Sequence, residues 1–114
     1  MKSWVTSKPL AWLHGEIKTP PFGAAARIEV GYLLRRLQSG NLVGPPSSKP
    51  MPTIGARCHE LRVNDGSLAW RIVYRIDADA IVIGEVILKK TRTTPRYIID
   101  TCRKRFMEYD NAGR

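Results

Sequence analysis

A chain of 114 residues is long enough for one compact domain with a modest core, and 43% hydrophobic and 25% charged residues are ordinary for a soluble globular protein. The charge balance is not ordinary: 19 Lys and Arg against 10 Asp and Glu give +9 and a pI near 10.1, which points to a phosphate backbone, an anionic membrane or an acidic protein as partner. No apolar run approaches the ~20 residues of a membrane span, and two distant cysteines, Cys58 and Cys102, exclude a disulfide scaffold or a cysteine-based zinc site.

The chain starts Met1-Lys2-Ser3-Trp4-Val5, without the apolar stretch of a secretory signal, so the expected location is cytoplasmic, with no membrane partner. Lys8-Pro9-Leu10-Ala11-Trp12-Leu13 reads as a short strand or extended arm, and Pro20-Pro21 and Gly23 then break the chain. Ala26, Val30, Leu33, Leu34 and Leu37 recur at helical spacing, which predicts a helix over 24–38 stopped near Gly40. Residues 44–55 are rich in Pro, Ser and Gly and read as a loop.

Three strands follow as a meander, over 57–63, 68–76 and 80–89, joined by turns at Asn64-Asp65-Gly66-Ser67 and Asp77-Ala78-Asp79. In the second, Trp70, Ile72, Tyr74 and Ile76 alternate with Arg71, Val73 and Arg75, so one face is expected to look into the core and the other to carry cations. Thr94-Pro95 reads as the N-cap and first position of a last helix. Its apolar stripe is Ile98, Ile99, Cys102, Phe106 and Tyr109, and residues 1–7 and 110–114 are expected to be flexible ends of a single domain.

Strand alternation places Cys58, Glu60 and Arg62 on one face and His59, Leu61 and Val63 on the other. Arg71 can share a face with Arg62 across the hairpin, and Lys89-Lys90 ends the next strand nearby. Such a group of cations can bind phosphate, with Glu60 orienting one arginine. Exposed cross-strand ion pairs, worth about 0.2–1 kcal/mol each, explain the same spacing equally well. His59 is a candidate general base, or a half-buried residue of the core side, and His14 is the other histidine. No cluster has metal-ligand spacing, and no nucleotide-cofactor motif or nucleophile elbow occurs, so neither metal nor cofactor is expected.

Lys49-Pro50-Met51, His59-Glu60-Leu61-Arg62, Trp70-Arg71-Ile72-Val73-Tyr74, Leu88-Lys89-Lys90-Thr91 and Thr94-Pro95, in this order, resemble the phage-related toxins of the RelE/HigB group. The likeness covers about residues 8 to 110. It implies an α+β, RelE-like microbial RNase fold: a small antiparallel sheet of a short N-terminal strand plus a three-stranded meander, with helices on one face. It also implies the toxin of a type II toxin–antitoxin system, an endoribonuclease that cuts mRNA in the ribosomal A site without a metal. A cognate helix-turn-helix antitoxin would neutralise it, and DNA would be met only through that antitoxin.

Carried onto this sequence, the resemblance gives Arg71 the scissile phosphate, Arg62 the neighbouring strand position and Lys90 the leaving group. Tyr97 falls close to the position of a catalytic aromatic, and His59 completes the catalytic candidates. Lys49, Arg75, Lys89, Arg92 and Arg96 are the RNA-binding candidates. Where some relatives have lysines in the first meander strand, this chain has Cys58 and Glu60, which leaves the general base unassigned. A degenerate, non-catalytic protein of phage origin that binds RNA, the ribosome or an antitoxin is the alternative. No helix-turn-helix pair is readable that would make the chain a repressor.

Overall fold

The computed structural model describes residues 7–13, 21–90 and 92–113. Among them, five strands and two helices occur: β1 (Leu10–Trp12), α1 (Ala24–Gln38), β2 (Ser48–Pro50), β3 (Cys58–Asp65), β4 (Leu68–Ile76), β5 (Ile81–Leu88) and α2 (Arg96–Ala112). The strands form one sheet in the order β1-β5-β4-β3-β2. The meander β3-β4-β5 is antiparallel, as its turn residues require, and β1 joins β5 in parallel, so the sheet is mixed. The α+β class read from the sequence is the class observed.

The first hairpin closes through a two-residue turn, because Asp65 pairs with Leu68. Gly66 takes φ 62 there, a conformation that costs glycine nothing. α1 ends as the sequence predicts. Gly40 (φ 88) donates its N–H to Leu37 O, and the N–H of Asn41 reaches Arg36 O, the paired bonds of a Schellman stop. At the other end the Asp65 carboxylate accepts the N–H of Gly23, the N-cap residue, at 2.7 Å. This puts an anion at the positive end of the helix dipole and ties the hairpin to α1.

The two helices take opposite faces of the sheet rather than sharing one. Val30, Leu33, Leu34 and Leu37 of α1 pack on Leu61, Val63, Trp70, Ile72 and Tyr74. Ile98, Cys102 and Phe106 of α2 pack on Cys58, Val73 and Val82 from the other side. Each large apolar side chain so buried contributes about 1.5–3 kcal/mol. β4 is therefore covered on both faces, and its alternation separates two cores instead of a core from solvent. Arg71 and Arg75 are buried, at 8% and 7% exposure. Gly84 is what lets α2 sit this close: a Cβ there would stand 2.9 Å from Phe106 Cζ and 3.3 Å from Cys102 Sγ.

Three local readings need correction. The stretch 44–55 contains β2, which pairs with β3 and is held by a buried Ser48–Tyr74 hydroxyl contact of 2.7 Å. Pro50 is tolerated because β2 is an edge strand. Thr94 does not cap α2. The helix begins at Arg96 with Pro95 at the cap position, and the Thr94 hydroxyl is used elsewhere. The C-terminal end stays helical through Ala112, and Asp110 pairs with Arg75.

Candidate functional site

α2 packs along β5, and its Ile98, Cys102 and Phe106 cover Cys58, Val73 and Val82 on that sheet face. Register fixes what remains at the uncovered end: Lys49 opposite Glu60, Arg62 opposite Arg71, Arg71 opposite Ile87, and the Lys89 N–H on Ala69 O. Arg62, Ala69, Arg71, Lys89, Lys90 and Arg92 line an open cleft of ≈ 490 Å³.

Glu60 is the carboxylate beneath these cations, 1% exposed. Its Oε1 lies 3.6 Å from Arg71 Nε, and its Oε2 accepts the Thr94 hydroxyl at 2.6 Å. The ion pair is electrostatic only, because 3.6 Å is too long for a hydrogen bond. Arg71 also donates Nη1–H to Trp70 O at 2.9 Å. Its Nε, like Arg62 Nε, has no hydrogen-bond partner among the described residues. A buried donor without a partner is costly, and here two lie on one cationic face, that of Arg71 turned toward Glu60.

The electrostatics agree. Burial first, and Arg62 second, lower the Arg71 pKa, while Glu60 opposes them. Lys89 is also lowered, chiefly by burial, with Arg71, Arg62 and Lys49 adding to it and Glu60 opposing. An anion bound here relieves every one of the repulsive contributions at once. Two oxygens of one phosphate can accept from two neighbouring guanidinium groups.

Not all expected site residues gather here. Arg62, Arg71, Lys89, Lys90 and Arg92 do, and Lys49 stands on the adjacent edge strand beside Thr94 and Lys89. Tyr97 is 69% exposed, next to Lys89 and Lys90 in a neighbouring depression. Arg96 points to solvent and pairs with Asp100 at 3.1 Å. Arg75 is at the far end of β4, held by Asp77 at 2.7 Å and Asp110 at 2.6 Å and stacked over Phe106, so its donors are used within the chain. His59 lies on the α1 side, stacked on Tyr74 at 5.4 Å, with its pKa lowered by burial. The sheet separates it from the cations. His14 and Thr91 fall outside the described residues.

Thr94 is the site residue the sequence reading put to the wrong use. A Thr-Pro pair ahead of a helix reads as a cap, and nothing local shows that the hydroxyl turns to a carboxylate 34 positions earlier. Among the described residues, no group of three His, Cys, Asp or Glu could hold a metal ion, and no helix is long and apolar enough to cross a membrane.

The family model described as Phage derived protein Gp49-like (DUF891) matches residues 21–107, most of the chain and every element from α1 through most of α2. The chain belongs to the phage-derived Gp49-like family. This is a family of the RelE/HigB-like toxin type, in keeping with the motifs that carried the resemblance. No curated protein matches the chain. The Gp49-like match takes in β2 through β5 and so the whole cationic cleft, and leaves β1 outside.

Proposed function

We propose that this Gp49-like protein is the toxin of a toxin–antitoxin pair and cuts mRNA in the ribosomal A site. The observation that carries this reading is the facing pair Arg62–Arg71, each with an unpartnered Nε, in a cleft ringed by Lys89, Lys90 and Arg92.

In the reaction the ribose 2′-oxygen attacks phosphorus, the bond to the 5′-oxygen breaks, and a 2′,3′-cyclic phosphate and a 5′-hydroxyl result. Arg62 and Arg71 bind the non-bridging oxygens and stabilise the added charge of the pentavalent phosphorane. Glu60 holds Arg71 in place from beneath. The Lys89 ammonium, its pKa lowered by its surroundings, is a readier proton donor to the departing 5′-oxygen than an ordinary lysine, with Lys90 beside it. The 2′-hydroxyl proton passes to water. The ribosome supplies orientation, which accounts for a large part of the barrier in such reactions.

An acidic surface of a helix-turn-helix antitoxin is the fitting partner for the same face, and contact with DNA then runs through that partner. Induced expression is expected to arrest growth, and Arg71→Ala to relieve the arrest. Primer extension on mRNA from translating cells is expected to show discrete cuts. Undiminished arrest by a folded Arg71→Ala protein would remove the assignment.

A second reading has one observation in its favour: His59, the described histidine, is on the wrong side of the sheet. A chain without its own base can serve as a binding module for RNA, the ribosome or an antitoxin. Ribosome binding without cuts is its signature in the primer-extension experiment.

A further inference from the structure

A second cavity, of ≈ 260 Å³, lies between β2 and the first turn of α2 and is continuous with the cationic cleft through Lys89, which lines both. The walls of the two differ in kind. The cleft is lined by guanidinium and ammonium groups. The second cavity is walled mainly by Pro50, Met51, Pro52 and Ile99, with Thr94, Lys49 and Lys89 among its polar residues. Its volume falls just below the ~300–1,000 Å³ of sites for drug-sized ligands, which suits one flat nucleobase, of one ring or two.

Thr94 gives this cavity a definite polarity. Its hydroxyl proton is committed to Glu60 Oε2 at 2.6 Å, since a carboxylate can only accept. What Oγ1 retains are lone pairs, and donating to a charged group makes the oxygen a better acceptor. Proteins that hold single-stranded nucleic acid combine a cationic track for the backbone with apolar surfaces for the bases. Here the two surfaces are adjacent and share one lysine.

We propose that this cavity is a nucleobase subsite for the nucleotide whose phosphate occupies the cationic cleft, and that Thr94 favours a base bearing an exocyclic amino group over uracil. The inference rests on the reading of the cleft as a phosphate site. An amino group donates to Oγ1. The O4 of uracil presents a second acceptor to it, which leaves both lone pairs facing each other.

The test is an NMR titration of the full chain with ribose 5-phosphate, UMP, CMP and AMP, following the Arg62 and Arg71 Nε–H signals and the Met51 and Ile99 methyl signals. All four ligands are expected to move the guanidinium signals. Only the nucleotides are expected to move the methyls, with AMP and CMP binding about 5-fold tighter than UMP, the effect of one hydrogen bond. Thr94→Val is expected to erase that preference and Thr94→Ser to keep it. Because the wild-type ligand series already decides the question, a poorly folded Thr94→Val protein does not block it. If the guanidinium signals move while the methyls stay still and all four affinities agree, the base subsite is wrong and the phosphate site stands. If no ligand moves the guanidinium signals, both are wrong.

Discussion

Arg62 and Arg71 stand directly opposite each other across the β3–β4 ladder, and the Nε of each lacks a hydrogen-bond partner among the described residues. Like charges in directly opposed positions destabilise a sheet, by roughly 0.2–1 kcal/mol. The fold therefore carries a cost at this point that a bound anion removes. Arg62→Gln is expected to make the free protein more stable, by about 0.5 kcal/mol, while abolishing its toxicity. Sulfate should raise the melting temperature of the wild type and have a smaller effect on the variant, since binding to the folded state stabilises it by mass action. Thermal melts with and without sulfate check both halves, and equal sulfate effects on the two proteins would count against an anion site.

Glu60 is the counterweight to this pair. With the carboxylate 1% exposed and 3.6 Å from Arg71, removing its charge leaves two arginines facing each other over a neutral floor. Breaking a buried pair from one side costs about 3–5 kcal/mol in well-made cases. The long separation and the open cleft argue for less than that range, so Glu60→Gln is expected to lose about 2–3 kcal/mol in urea denaturation. The glutamine amide oxygen still accepts from Thr94, which isolates the effect of charge. Added sulfate should recover part of the loss. A variant as stable as the wild type would show that Glu60 does not hold the arginines.

The strand pattern alone makes Arg62, Arg71 and Glu60 neighbours, because alternation and the two-residue turn at Gly66 leave little freedom of register in the first hairpin. Helix α1 was equally legible from its five-residue stripe and the glycine beyond it. What the pattern could not give was the second core. Val73 and Cys58 look like interruptions of a polar face until α2 is seen to lie on them, and only then does the burial of Arg71 and Arg75 follow. β2 was hidden for a different reason. Three residues of an edge strand, one of them proline, carry no periodicity, and their pairing depends on β3 rather than on their own sequence. Thr94 belongs to the same class, since its partner is distant in the chain.

His59 offers a test of the sheet as a divider. Burial lowers its pKa below 6.5, so the folded state holds fewer protons than the unfolded state in the window just under that value. The linkage sign follows: stability is fully present above pH 6.5 and is lost as the pH falls through the lowered folded-state value. His59→Phe keeps the stacking on Tyr74 and has no proton to gain. It is expected to flatten the loss of stability between neutrality and pH 5 and to leave growth arrest intact, because the ring faces α1. Melting temperatures across that range check the first expectation, and the growth assay checks the second. Loss of toxicity in a stable His59→Phe protein would return the histidine to the list of catalytic groups.

Arg71 and Arg75 share a strand, a sheet face and nearly the same burial, yet they should answer mutation in opposite ways. Arg75 has carboxylates on both sides, with Nε on Asp77 at 2.7 Å and Nη2 on Asp110 at 2.6 Å, and both hold its pKa above the ordinary value. Truncating it leaves Asp77, 6% exposed, with only the longer 3.4 Å contact to Arg57, and removes the tie between β4 and the last turns of α2. Arg75→Ala is expected to cost about 3 kcal/mol, in the range for a buried pair broken from one side. Asp110→Asn, at a half-exposed position that keeps the Arg75–Asp77 contact, should cost at most about 1 kcal/mol. Arg71 has a single carboxylate at 3.6 Å and a like charge opposite it, so Arg71→Ala should cost less in stability than Arg75→Ala and far more in activity. Urea denaturation and growth arrest, measured on the same three variants, give the comparison. If Arg75→Ala stays folded at the growth temperature and loses toxicity as fully as Arg71→Ala does, the separation of a structural from a functional arginine along β4 is wrong.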